Sequence, residues 1–221
     1  MFKTIGVLPE KDKRGFAAST EALQHQYQPR RLSNAKLSTL TRVLLNFRIL
    51  HGQDALTVAG GTRLPDKAAG VEVVFLVLVF NKTIQYADRF GSLHEDDRCE
   101  TYPLVVVELN RDYGQAVMRP ERLADKVAEL FSRNEVDFEE HPQFSRRYYV
   151  LSEDETVLRN AVTWEFLNTI SLYSGLVIEI RGKTLAATTW KRINPESSLM
   201  LTDFGFSLLR SGAGTPGHRS P

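Results

Sequence analysis

A chain of 221 residues with 42% hydrophobic and 10% aromatic content has apolar material for one sizeable core,. Its net charge of +1 gives no overall reason to expect nucleic acid or an acidic substrate,. The single cysteine, Cys99, excludes an intramolecular disulfide and a Cys-based zinc site,.

The charge is unevenly spread. Residues 1–50 hold nine Lys and Arg against three Asp and Glu, a net of +6, which leaves −5 for residues 51–221. A basic front end on a mildly acidic body points to an anionic surface as the partner of the first segment. The opening "MFKTIGVLPEKDKRGF" lacks the apolar core of a secretory signal,. The longest apolar run, Val73–Phe80, falls well short of the about 20 residues that span a bilayer,. With one thiol, the expectation is a cytoplasmic protein, attached at most peripherally to the inner membrane face.

Residues 1–34 read as a polar, basic arm with a short helix near Ser19–Gln26, punctuated by Pro9 and Pro29. Ser33 or Asn34 then caps a helix through "AKLSTLTRVLLNFRIL", whose Leu37, Leu40, Leu44 and Phe47 share one face,. Residues 57–70, with paired glycines and Pro65, read as a loop. "VEVVFLVLVFNKTI" is a strand buried on both faces, residues 91–103 a polar connection, and "LVVVELN" a second buried strand,.

Pro120 opens a helix with Leu123, Val127, Leu130 and Phe131 as its stripe,. "FSRRYYVLS" is a strand, and Ser152 with Glu155 forms a capping box for a helix carrying Leu158, Val162, Phe166 and Ile170,. A hairpin turns at Arg181–Gly182–Lys183, a helix starts at Pro195, and residues 211–221 form a disordered tail,. Residues 35–210 are therefore expected to form a single α+β domain. Its mixed or antiparallel sheet has about five strands packed with three to four helices.

No phosphate-loop or dinucleotide fingerprint is present, so no cofactor is expected,. Two loops concentrate metal-ligating types: "HEDDRCE" (94–100) and "DFEEH" (137–141). Neither has the spacing that sets two imidazoles on one helical face. A site combining His94, Asp97 and His141 would make the chain a metal-assisted hydrolase, the alternative to a non-enzymatic role. Cys99 has four acids beside it, which raise a thiol's pKa and blunt it as a nucleophile. In the strand "RRYY" only Arg147 and Tyr149 share a side, and their acidic surroundings oppose a phosphate backbone, so no nucleic-acid partner is expected.

"DFEEHPQFSRRYYVLSEDETVLRN" followed by "IEIRGKTLAA" resembles an uncharacterised family of small bacterial proteins. The resemblance rests on Asp137, Phe138, Pro142, Phe144, Ser145, Tyr148, Asp154, Glu155, Glu179 and Gly182, and covers roughly residues 70–190. It implies a domain that is often membrane-tethered, and it implies no catalytic residue. The amphipathic front end departs from that tethered form. The sequence thus favours a domain without catalysis that binds a protein partner or an anionic membrane surface, with Arg30, Arg31, Lys36, Arg42 and Arg48 as the attachment charges.

Overall fold

A computed structural model describes residues 8–50, 55–66, 70–87, 92–120 and 134–213. Among them, nine strands form one antiparallel sheet and six α-helices cover it. The α+β class holds, and the sheet is wholly antiparallel. The five expected strands are β3 (Val71–Ala87), β4 (Leu93–Glu108), β7 (Tyr148–Ser152), β8 (Val177–Arg181) and β9 (Thr184–Thr188). The other four are β1 (Arg30–Arg31), β2 (Ala55–Asp66), β5 (Gln115–Pro120) and β6 (Asn134–Glu135). Their order across the sheet is β1-β2-β3-β4-β9-β8-β5-β7-β6.

Continuous apolar runs fill both faces. Val73, Phe75, Val77 and Val79 of β3 point into one core with Val105 and Val107, while Val74, Leu76, Leu78 and Phe80 point into another with Leu104 and Val106. The first core is roofed by α1 (Glu10–Gln26), α5 (Trp164–Ser171) and α6 (Pro195–Leu208). The second is roofed by α2 (Asn34–Leu44) and the 3-10 turn Arg48–Leu50.

Several expectations are corrected. The arm contains a 17-residue helix, α1, packed along α6. Gly15 lets α1 approach the segment that leads into α6: a Cβ there would lie 2.5 Å from the Ile193 carbonyl oxygen. Residues 57–66 are not loop but most of β2. The paired glycines serve the strand, since Gly60 follows a bulge after Val58 and Gly61 makes room for Leu32 and Leu76,. The expected connection 91–103 contributes Leu93–Pro103 to β4.

Phe144 belongs to a short helix, α3 (Pro142–Ser145), so β7 starts only at Tyr148. The long helix after Ser152 is two: α4 (Glu155–Ala161) and α5. They separate at extended Val162, where Thr163 caps the second through a 3.2 Å bond from the Phe166 amide. Asp154, not Ser152, caps α4. The helix expected after Pro120 lies outside the described residues, as do residues 214–221 of the expected tail; residues 211–213 of that tail instead complete the helical turn Leu209–Ala213, and Pro120 itself ends β5.

Candidate functional site

The attachment charges fall into two groups. Arg30 and Arg31 form β1, a two-residue edge strand on β2, with Arg30 opposite Arg63 and Arg31 opposite Thr62. Register partners share a face of the sheet, so Arg30 and Arg63 stand on the α2 side and Arg31 on the other. Thr62 locks the edge, its hydroxyl donating to the Arg30 carbonyl at 2.8 Å. Arg63 pairs at 3.5 Å with Glu72 of β3. Both residues of β1 are exposed.

Two residues on, Ser33 accepts from the Lys36 amide at 3.2 Å and caps α2. The Leu37, Leu40 and Leu44 stripe lies against the sheet, leaving Lys36 and Arg42 exposed on the outer face. Lys36 also lines a groove of about 510 Å³ that holds Glu72 and Glu108. Arg48 belongs elsewhere: the chain has crossed the sheet by then, and its guanidinium pairs with Glu153. Beside it the Ile49 amide donates at 2.8 Å to Glu179, whose carboxylate is 1% exposed and also accepts from Arg181 at 2.8 Å. Arg181 in turn lies 5.9 Å from the Phe47 ring. Arg30 and Arg31 thus lie at the sheet edge on opposite faces, Lys36 and Arg42 lie on α2, and Arg48 is held apart from them in the pair with Glu153. Arg63 was illegible as part of this edge because its segment read as loop.

The two acidic–histidine loops do not converge. His94 and Asp97 lie in a part of β4 that, among the described residues, pairs with β3 alone, opposite Tyr86 and Thr83. His141 precedes β7, and β9, β8 and β5 stand between β4 and β7. Leu104, where β4 meets β9, is ten residues beyond His94, a strand length of about 33 Å. His141 is buried and capping: its Nδ1 accepts from the Phe144 amide at 3.3 Å, and its ring packs 5.0 Å from Trp164. Among the described residues no group of three or more His, Cys, Asp and Glu is placed to hold a metal ion. The acids of the second loop, Asp137 and Glu139, instead line an open groove of about 560 Å³ beside β7.

Cys99 is a blunted thiol for a reason its neighbours in sequence did not supply. Burial pushes its pKa up first, and Asp12 of α1 adds to the shift. Adjacent Glu100 is held below the usual carboxylate range by a hydrogen bond from the Tyr102 hydroxyl and by Arg192.

The residues that carry the family resemblance build a folding unit. Phe138 and Phe144 meet edge to face at 5.6 Å, and Phe144 stacks on Tyr148 at 5.4 Å. The Ser145 hydroxyl donates to the Phe138 carbonyl at 2.9 Å, and Pro142 opens α3. Asp154 caps α4, Glu179 clasps the 3-10 turn, and Gly182 takes a positive φ of 59° in the hairpin turn,. These eight have packing, capping or turn roles, Glu155 pairs with Arg159 at 2.7 Å, and Asp137 lines the groove beside β7.

Comparison with protein-family models, curated proteins and solved structures finds no match to this chain. Among the described residues no helix is long and apolar enough to cross a membrane.

Proposed function

We propose that this chain is a non-enzymatic binding domain that docks an acidic protein surface on the edge made by β1, the end of β2 and the outer face of α2. The observation behind this reading is the Arg30–Arg63 register pair, which concentrates charge from two distant segments at an open sheet edge. Arg31 at that edge and Lys36 and Arg42 on α2 add to the charge. Such a field speeds and selects encounters with an anionic partner. We place this activity in the cytoplasm, as the lone thiol suggests.

An anionic membrane would answer to the same charges. Burial of Leu37, Leu40 and Leu44 under α2 argues against it, because an interfacial helix inserts its apolar face,. The hydrolase alternative has the wide separation of His94 and His141 against it.

The test is fluorescence anisotropy with a labelled polyglutamate peptide, beside sedimentation with phosphatidylcholine–phosphatidylglycerol vesicles. The wild-type chain is expected to bind the peptide in a salt-dependent way, and the variant R30E/R31E/K36E to lose that binding. Preference for vesicles would favour the membrane reading. Binding to neither would sink both.

A further inference from the structure

We infer that α1 is a hinged strap: its first three turns lift from the seam between β4 and α6 while the sheet beneath stays folded. The inference stands apart from the reading of the basic edge.

α1 is held by little apolar burial. Of its 17 residues only Asp12, Ser19 and Leu23 are buried, and two of those three are polar. A helix in a folded protein draws most of its stability from packing of an apolar face, and this one has little to offer. The docked face is also poorly matched. Asp12 Oδ2 and Ser19 Oγ are buried without a hydrogen-bond partner. The receiving surface repeats the pattern, with Thr101 Oγ1 of β4 and Ser198 Oγ of α6 buried and unpartnered as well.

The four groups border one seam. Thr101 is in register with Val79 and alternates with Cys99 and Val105, so its side chain is on the α1 and α6 side of the sheet,. Its carbonyl accepts from the Ile193 amide at 2.9 Å, and the Ile193 carbonyl oxygen is the atom that Gly15 of α1 approaches. Asp12 and Ser19 lie one turn to either side of Gly15, on its face of the helix,. Ser198 stands two turns before Gly205, where α6 meets Val73 and Val105, and so it faces the sheet too,. Each buried polar atom left unpaired opposes docking, and lifting α1 returns it to water.

The two ends of α1 are held differently. At the C-terminal end Leu23 is fully buried, Tyr27 packs on Phe206 at 5.3 Å and hydrogen-bonds Asp203 of α6, and Gln26 joins the same carboxylate at 3.4 Å. The N-terminal end offers Leu8, just before the helix, and partly buried Phe16. Local opening starts where buried apolar contacts are few. The hinge therefore falls at Gln26–Tyr27. Opening bares Ile193 and the partly buried Cys99, which makes α1 a gate on this seam.

The experiment is native-state hydrogen exchange on the full chain, read by mass spectrometry at peptide resolution. Amides of residues 14–22 are expected to exchange through an opening that β3 does not share, at least about tenfold faster than β3. Thr101→Val removes a hydroxyl at nearly constant shape and leaves α1 itself untouched. It is expected to slow exchange in α1, relative to β3, by about tenfold. Leu23→Ala removes the apolar anchor and is expected to speed α1 by about thirtyfold or more while β3 keeps its wild-type rates. Far-UV circular dichroism checks that each variant is folded, and should Leu23→Ala fail to fold, Thr101→Val decides. Exchange of α1 in step with β3 overturns the inference. So does a Thr101→Val variant in which α1 exchanges as fast as in the wild type, or faster.

Discussion

The Ile49 amide donates to a Glu179 carboxylate oxygen at 2.8 Å, tying the turn after α2 to a strand three places across the sheet from β3. Glu179 sits between Val117 and Ala186 on the face that α2 covers, with its second oxygen on Arg181. Replacing it by Ala leaves a buried amide and a guanidinium without their acceptor. The expected loss is about 3 kcal/mol, since a hydrogen bond to a charged group contributes about 1.5–3 kcal/mol. Glu179→Gln keeps an acceptor for Ile49 and is expected to cost less. Urea denaturation of both variants measures the difference.

Gly61 offers a steric test. A Cβ there would stand 2.4 Å from Leu76 Cδ2, 2.9 Å from Leu32 Cδ1 and 3.1 Å from the Phe75 carbonyl. Gly61→Ala is expected to destabilise by about 1–3 kcal/mol through overpacking. Gly70→Ala meets nothing within 4 Å, and its φ of +67° leaves only backbone strain, about 1–2 kcal/mol. Because the two costs overlap in size, the discriminating probe is methyl NMR. Leu32 and Leu76 should shift in the first variant and stay in place in the second.

Acid stability should depend on Glu100. Its carboxyl pKa is depressed, first by the Tyr102 hydroxyl and then by Arg192. The associated stability is therefore complete above the ordinary Glu pKa of about 4.3 and is lost as pH falls through the lower folded value. Glu100→Gln removes this dependence. Urea midpoints followed from neutral pH to about pH 3 should fall less steeply in the variant than in the wild type.

At the alkaline end the sign reverses. Burial pushes the Tyr148 hydroxyl up to about 12, so its contribution is complete below the ordinary value of about 10 and is lost as pH rises toward the folded one. Tyr148→Phe gives up the 2.8 Å bond to the Tyr173 carbonyl, worth about 1 kcal/mol at neutral pH. It should also show a shallower alkaline decline, read from denaturant midpoints across that range.

His141 is expected to matter for α3 and not for metal. His141→Ala removes the acceptor of the Phe144 amide and the ring against Trp164. The loss of the cap alone is expected to cost about 1 kcal/mol. His141→Asn, which keeps a capping oxygen, should recover part of it. Thermal melts with and without added zinc should differ equally little for wild type and variants.

What the sequence revealed follows physical signal strength. β3 is legible because Val73–Phe80 is apolar on both faces, and the β8–β9 hairpin because Gly182 supplies its positive φ. α6 announces itself through Pro195 just after its capping Asn194. β2 was hidden by Gly60, Gly61 and Pro65, residues that suit its bulge and its tight packing but imitate a loop. α1 was hidden because its inward face holds Asp12 and Ser19 beside Leu23, so its helical period is weak and its stability comes from α6,. The same rule governs the site. Arg30 and Arg31 are visible as charges, whereas their partner Arg63 becomes visible only through strand register.

The joint between β4 and β9 divides the molecule along its own chronology. All pairing among β1 to β4 lies within residues 30–108, and all pairing among β5 to β9 lies within 115–188. Among the described residues a single ladder, Leu104–Glu108 against Thr184–Thr188, joins them. A ribosome therefore releases one finished ladder before the strands of the other exist. α6 arrives last and lies across β3 and β4, stitching the late half onto the early one. Cutting the backbone at Arg111–Gly114 should yield two fragments that find each other again, with α6 as the thread.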